Sequence, residues 1–150
     1  MAKPDVSIPD SEPPADLVID DIVVVAAEGK LAAYDVATGS PRWFGSDGGF
    51  SYSSPHLMTI DGVAQILLLR GSRSTSVSPA DGTLLWEHRW QPGAGMLQPA
   101  LTAEGDILIA AADTMGGAGI RRLGVARGPA GWSVDERWTS RGLKPYFNDF

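Results

Sequence analysis

Cysteine is absent from all 150 residues. Disulfide staples, thiolate nucleophiles and zinc–thiolate centres are therefore excluded, and the redox compartment is left open. Histidine is nearly as scarce. His56 and His88 are the only two, and neither belongs to an H-x-x-x-H spacing that would hold zinc. No apolar run approaches the roughly 18 residues of a membrane-spanning helix. Basic residues are outnumbered, twelve Lys and Arg against eighteen Asp and Glu, for a formal charge of −6. That balance argues against nucleic acid and against an anionic membrane surface as partners. Residues 1–12 carry one lysine and no apolar core, so they do not read as a secretory signal and are expected to form a flexible tail. There is no G-x-S-x-G elbow and no Lys-Ser/Thr phosphate loop.

Glycine and proline, by contrast, are plentiful. Eighteen glycines and eleven prolines in a chain of single-domain length point to many short strands and turns. A pattern recurs along the chain. Proline-led apolar segments begin at Pro14, Pro55 and Pro99, and Pro145 continues the series, with spacings of 41, 44 and 46 residues. Each runs into an acidic or glycine turn (Asp20-Asp21, Asp61-Gly62, Glu104-Gly105-Asp106) and then into a near-continuous apolar strand. Those strands are Ile22–Ala27, Val63–Leu69 and Ile107–Ala112. Lost alternation is what a strand covered on both faces should show. A period in the low forties is that of a four-stranded propeller blade. The architecture expected is all-β, a partial β-propeller of about three four-stranded antiparallel blades, over 13–54, 55–98 and 99–144. Residues 145–150 would start a fourth strand set. A plain β-sandwich is the alternative, disfavoured by the regular period.

The second half of the first copy is the most specific stretch. Ala33, Asp35, Thr38, Gly39 and Trp43 stand in the order A-x-D-x-x-T-G-x-x-x-W. Gly39 suits a turn with positive φ, Asp35 can accept from the turn's amides, and Trp43 has a flat face to bury on a small residue such as Ala33. The second copy keeps Asp81, Gly82 and Trp86 but has Ser76 and Ser78 in place of the alanine and first aspartate. In the third, Gly128-Pro129-Ala130-Gly131 replaces the turn, and 115–119 reads as an inserted glycine-rich loop. The first run resembles the tryptophan-docking motif of the quinoprotein (PQQ-type) β-propeller repeat at all five positions. The resemblance covers roughly 13–150.

Three blades do not close a ring, which usually takes about four to eight. An open arc leaves an apolar face at each end. Either the chain is part of a longer protein, or two copies joined head to tail into six blades cover both faces; the dimer is the expectation, with Trp138, Tyr146, Phe147 and Phe150 as aromatic anchors at the seam.

Large quinoprotein dehydrogenases of this repeat hold PQQ and calcium above a full ring. None of their cofactor residues can be matched here, so PQQ is not expected. The same repeat builds non-catalytic scaffolds, among them the propeller lipoprotein of the outer-membrane β-barrel assembly machinery. The resemblance therefore implies a binding or scaffold module that assembles by blade stacking and offers a channel mouth or edge strand to a protein or peptide. The enzymatic alternative is a metal-assisted ester or phosphoester hydrolase in the central channel of an assembled ring. For it, Ser54 and His56 are the candidate nucleophile and base, and His56, Asp20 and Asp113 the candidate ligands of a divalent metal. A fragment of a PQQ-dependent dehydrogenase ranks third. Without an export signal the chain as given is expected in the cytoplasm, although proteins with this repeat are commonly periplasmic or exported.

Overall fold

Each apolar run becomes the second strand of a four-stranded sheet. The computed structural model describes residues 16–27, 30–46, 53–70, 72–90, 97–113 and 116–144. The first sheet holds β1 (Asp16–Ile19), β2 (Ile22–Ala27), β3 (Lys30–Asp35) and β4 (Pro41–Phe44). The second holds β5 (His56–Ile60), β6 (Val63–Arg70), β7 (Arg73–Val77) and β8 (Leu84–Arg89). The third holds β9 (Ala100–Leu101), β10 (Ile107–Asp113), β11 (Gly116–Gly128) and β12 (Gly131–Ser140). All neighbours are antiparallel and follow chain order, and no helix occurs among the described residues. This is a partial β-propeller of three blades. The tail at 1–12 and the strand set at 145–150 lie outside the described residues.

Register shows the repeat more clearly than residue identity does. Leu17, Val24, Ala33 and Trp43 lie opposite one another across the first sheet. His56, Leu67, Ser76 and Trp86 do so in the second, and Ala100, Leu108, Arg122 and Trp138 in the third. In every sheet the last pair slips register directly after the tryptophan's partner, at Ala33/Tyr34, Ser76/Val77 and Arg122/Leu123. A bulge of this kind adds twist and re-aims the residues beyond it. Its recurrence identifies Trp138 as the counterpart of Trp43 and Trp86.

The middle sheet is covered on both faces, which is why β6 reads as an unbroken apolar run. Ile66, Leu68 and Val77 pack against Val24, Leu31, Ala33 and Trp43 of the first sheet. Leu67, Leu69, Met58, Ile60 and Trp86 pack against Ile107, Ile109, Leu123 and Val125 of the third. Each fully buried Leu or Ile contributes about 1.5–3 kcal/mol relative to exposure.

One segment differs from its sequence reading. Gly116–Gly119 is not an inserted loop but the start of β11, paired to Ala111–Asp113 across a bulge. Glycine is what the position requires. Gly119 has φ 135°, and a Cβ there would strike the carbonyl oxygen of Ser140. A glycine cluster chosen for close backbone approach is indistinguishable by composition from one chosen for flexibility.

Candidate functional site

The side chains most closely fitted to a partner lie at the seams between blades. Trp43 is 8% exposed and lies over Gly82 of the next blade's β7–β8 turn. Its indole N–H donates to the Pro79 carbonyl at 3.0 Å. Gly82 has φ 72°, and a Cβ there would come within 2.5 Å of the Trp43 ring.

The two turns share a backbone despite different side chains. In the first, Asp35 N donates to Ser40 O and Gly39 N to Asp35 O, both at 2.8 Å. In the second, Ser78 N donates to Thr83 O and Gly82 N to Ser78 O, both at 2.9 Å. Asp35 Oδ1 accepts from the amides of Ala37 (3.0 Å) and Thr38 (2.8 Å) and from the Thr38 hydroxyl (2.9 Å). The Thr38 hydroxyl above all, then its amide, holds the Asp35 carboxyl below its usual pKa. Asp81 Oδ1 accepts from Thr83 N at 3.0 Å, and that backbone bond is the first cause of its own lowered pKa. Arg42, the bulge residue, pairs with Asp21 and lies 3.1 Å from Asp35.

Trp86 is 5% exposed but turns its N–H inward, to Gln65 Oε1 at 2.8 Å. The Ser76 hydroxyl donates to the same oxygen at 2.6 Å. Gln65 is fully buried and carries no sequence signal, because a lone glutamine in an apolar strand belongs to no motif. The second seam is latched at its turn as well. Asp61, at φ 49°, accepts from Arg127 N of the third blade at 2.9 Å.

Farther out on this seam Arg121 reaches from β11 to four side chains. Its Nη1 lies 3.0 Å from His88 Nε2, its Nε donates to Thr139 Oγ1 at 2.7 Å, and its Nη2 lies 3.3 Å from Glu136. Its guanidinium carbon sits 4.5 Å from the centre of the Trp90 ring. Arginine has no acceptor, so His88 Nε2 must present a lone pair and the ring proton sits on Nδ1. Burial first, then the Arg121 charge, lower the His88 pKa below 6.5, opposed by Glu136. Above pH 6.5 histidine is neutral in both states and contributes no slope. As pH falls through and below 6.5 the unfolded chain takes up a proton that the folded seam resists, and stability declines down to the depressed pKa. Urea midpoints measured across that window should fall with acidity in the wild type, and His88→Gln should flatten the slope.

The sequence-derived catalytic and metal candidates are not brought together. Asp20 sits in the β1–β2 turn, where a cavity of about 340 Å³ is shared with Asp21 of the same turn, Arg42 of β4, and Pro79 and Ala80 of the β7–β8 turn. His56 opens β5, so it lies at the far end of its blade from the β5–β6 and β7–β8 turns. Asp20 and His56 therefore occupy opposite ends of neighbouring blades. The Asp113 side chain lies outside the described residues. No hydrogen bond joins Ser54 to His56 among the described residues. Neighbouring Ser53 donates to Leu97 O at 3.1 Å. No group of three or more His, Asp or Glu suited to a metal occurs among the described residues. Nor do those residues fit a PQQ–calcium site, since Asp35, Asp61 and Asp81 are each held in a separate turn or seam contact. Of the expected seam aromatics, Trp138 is 39% exposed on the outward face of the third blade. Tyr146, Phe147 and Phe150 lie outside the described residues.

Two of the solved structures that match share the fold. BamB from Moraxella catarrhalis is 24% identical, with a TM-score of 0.55 over 81% of this chain and 33% of that one. A europium-containing methanol dehydrogenase is 12% identical, with a TM-score of 0.52 over 81% of this chain and 24% of that one. Both are likenesses of fold, and the chain spans about a third or less of either protein. A comparison with curated proteins gives no match. The model of one protein family, described as outer membrane protein assembly factor BamB, matches residues 10–137, and the chain belongs to that family.

Proposed function

We propose that this chain is a protein-binding scaffold module, built by blade stacking, that serves outer-membrane protein assembly as its family's description indicates. The observation that carries the reading is the seam at Trp43, where a whole aromatic side chain is devoted to locking one blade onto the next turn. The polar groups that would interest a chemist are engaged in holding the fold together. Asp35 is held in its turn, Asp61 on Arg127, Gln65 on Trp86 and His88 on Arg121. The partner is a protein or peptide received at the channel mouth or along an outer edge strand. Of the outer strands β12 is the longest, ten residues of which nine pair with β11, and among the described residues its other edge has no strand partner.

The test mixes the purified chain with the soluble domains of a β-barrel assembly machine and follows complex formation by sedimentation. A complex is expected, with no ester or phosphoester turnover. Turnover lost with EDTA and restored by a divalent metal, or dye reduction that needs added PQQ and calcium, would overturn the reading.

A further inference from the structure

The two seams have the same frame but are filled differently, and the difference leaves a site between the first and second blades. We propose that the cavity at the β1–β2 turn holds an extended peptide segment of a partner protein, with one backbone N–H on the Asp20 carboxylate and an apolar side chain over Ile19. The peptide takes there the place that the β11–β12 hairpin takes at the second seam. The inference rests on the protein-binding reading given above and adds to it a site and the chemistry of its occupant.

The hairpin of the third blade shows what such an occupant looks like. Beyond the bulge its ladder continues from Leu123 opposite Glu136 to Gly128 opposite Gly131, whereas the other two ladders stop at Tyr34 opposite Pro41 and Val77 opposite Leu84. The added length crosses the second seam. Arg127 N donates to Asp61 Oδ2 at 2.9 Å, and Trp132 and Val134 pack on the cluster that holds Ile60 and Val125. Ile60 is left 1% exposed.

At the first seam the receiving parts are present without that segment. Ile19 pairs with Ile22 as Ile60 pairs with Val63, so Asp20 is the counterpart of Asp61. The two aspartates have φ 52° and 49°, and among the described residues they are the non-glycines of positive φ. The β7–β8 turn beside Asp20 is too short to cross the seam. It closes at once, Gly82 N returning to Ser78 O, and the 340 Å³ cavity remains between Ile19 and Asp20 on one blade and Pro79 and Ala80 on the next. Both walls belong to adjacent blades of this chain. Ile19 is only half-buried, and among the described residues no donor meets the Asp20 carboxylate. The volume is that of a small ligand pocket. At its rim Arg42 stands in register with Leu85 of the second blade and pairs with Asp21 and Asp35. With Asp20 added the rim is acidic, which favours a basic residue beside the apolar one. Arg127 lies opposite Trp132 in just this way in the hairpin.

The probe is a cyclised, fluorescently labelled peptide with the sequence Leu123–Glu136, titrated with the full chain and followed by anisotropy. Saturable binding is expected. Asp20→Gly removes the carboxylate and suits the backbone at φ 52°, and it should weaken binding by about tenfold or more, the effect of losing a charged acceptor. Methylating the Arg127 amide of the peptide should weaken binding to the wild-type chain as much. Asp135→Asn, at an exposed carboxylate of the third blade, should bind like the wild type. Absence of saturable binding, or equal binding by Asp20→Gly or by the methylated peptide, would overturn the proposal. Binding that Asp61→Gly abolishes and Asp20→Gly spares would place the peptide at the second seam and overturn it too. Ala80→benzoylphenylalanine puts a photo-crosslinking side chain at the cavity and should capture the bound peptide. A crosslink to the chain's own residues 1–15, or to a second copy, would assign the cavity to those occupants instead and overturn the proposal. A chain that fails these tests yet binds the assembly-machine domains would lose this site alone and keep the scaffold reading.

Discussion

Replacing Trp43 with alanine is expected to lower the free energy of unfolding by about 3–5 kcal/mol, the cost of emptying a large aromatic site in a packed interior. The site cannot collapse easily, because it is walled by two different sheets. Ala33 lies opposite Trp43 on one side and Gly82 lies beneath it on the other. The loss includes the N–H bond to Pro79, whose carbonyl would be left facing the cavity. Urea unfolding of the wild type and Trp43→Ala measures the difference. A loss under about 1 kcal/mol would mean that the blades are not held together here. Two glycine substitutions supply the control. Gly82→Ala should be strongly destabilising, since its methyl group enters the Trp43 ring as well as straining a φ of 72°. Gly39→Ala has nearly the same φ and open space above it, so it should cost only about 1 kcal/mol.

This contrast also shows what was legible in the sequence. The periodicity located all three sheets, because buried central strands lose their alternation and the turns between them keep Asp and Gly for conformational reasons. The Trp43 run was readable because five residue types at fixed spacing each have a separate physical cause. The second turn has almost the same backbone with Ser78 and Asp81 as its polar residues. Different side chains can satisfy the same amides, so the degenerate copy is as regular in space as the complete one. Trp138 was legible as an aromatic end of a strand, but its equivalence to Trp43 lies in the bulge, a property of pairing that no single strand displays. The catalytic and metal candidates have no such support in the sequence. Ser54, His56 and Asp20 are ordinary residues of strand starts and turns, and proximity between blades depends on which end of a blade each occupies. Gln65 was invisible, since its role depends on two strands beyond its own.

Gln65 supplies the second large effect. Changing it to leucine, of similar bulk, should cost about 2–4 kcal/mol, because two buried donors lose one shared acceptor. The indole N–H of Trp86 has no freedom to seek another partner without moving the ring. Ser76→Ala removes only one of the donors and leaves the Gln65–Trp86 bond intact, so it should cost about 1 kcal/mol or less. The asymmetry between the two variants is the diagnostic measurement. If Gln65 merely filled space, leucine would be tolerated and the two costs would be alike. The first blade shows how the other solution works: Ile22 holds the place of Gln65, Ala33 that of Ser76, and Trp43 sends its N–H across the seam to Pro79. In the second blade the donor is satisfied at home, and Trp86 meets the third blade through apolar contact with Ile107, Ile109, Leu123 and Val125. The same tryptophan thus joins neighbours in two chemical ways, by a directed bond at one seam and by burial alone at the next. Gln65→Leu should therefore weaken the second blade itself, whereas Trp43→Ala should loosen the first blade from the second. Hydrogen exchange resolved by strand separates these outcomes: early exchange of β5–β8 in the former, of β1–β4 in the latter.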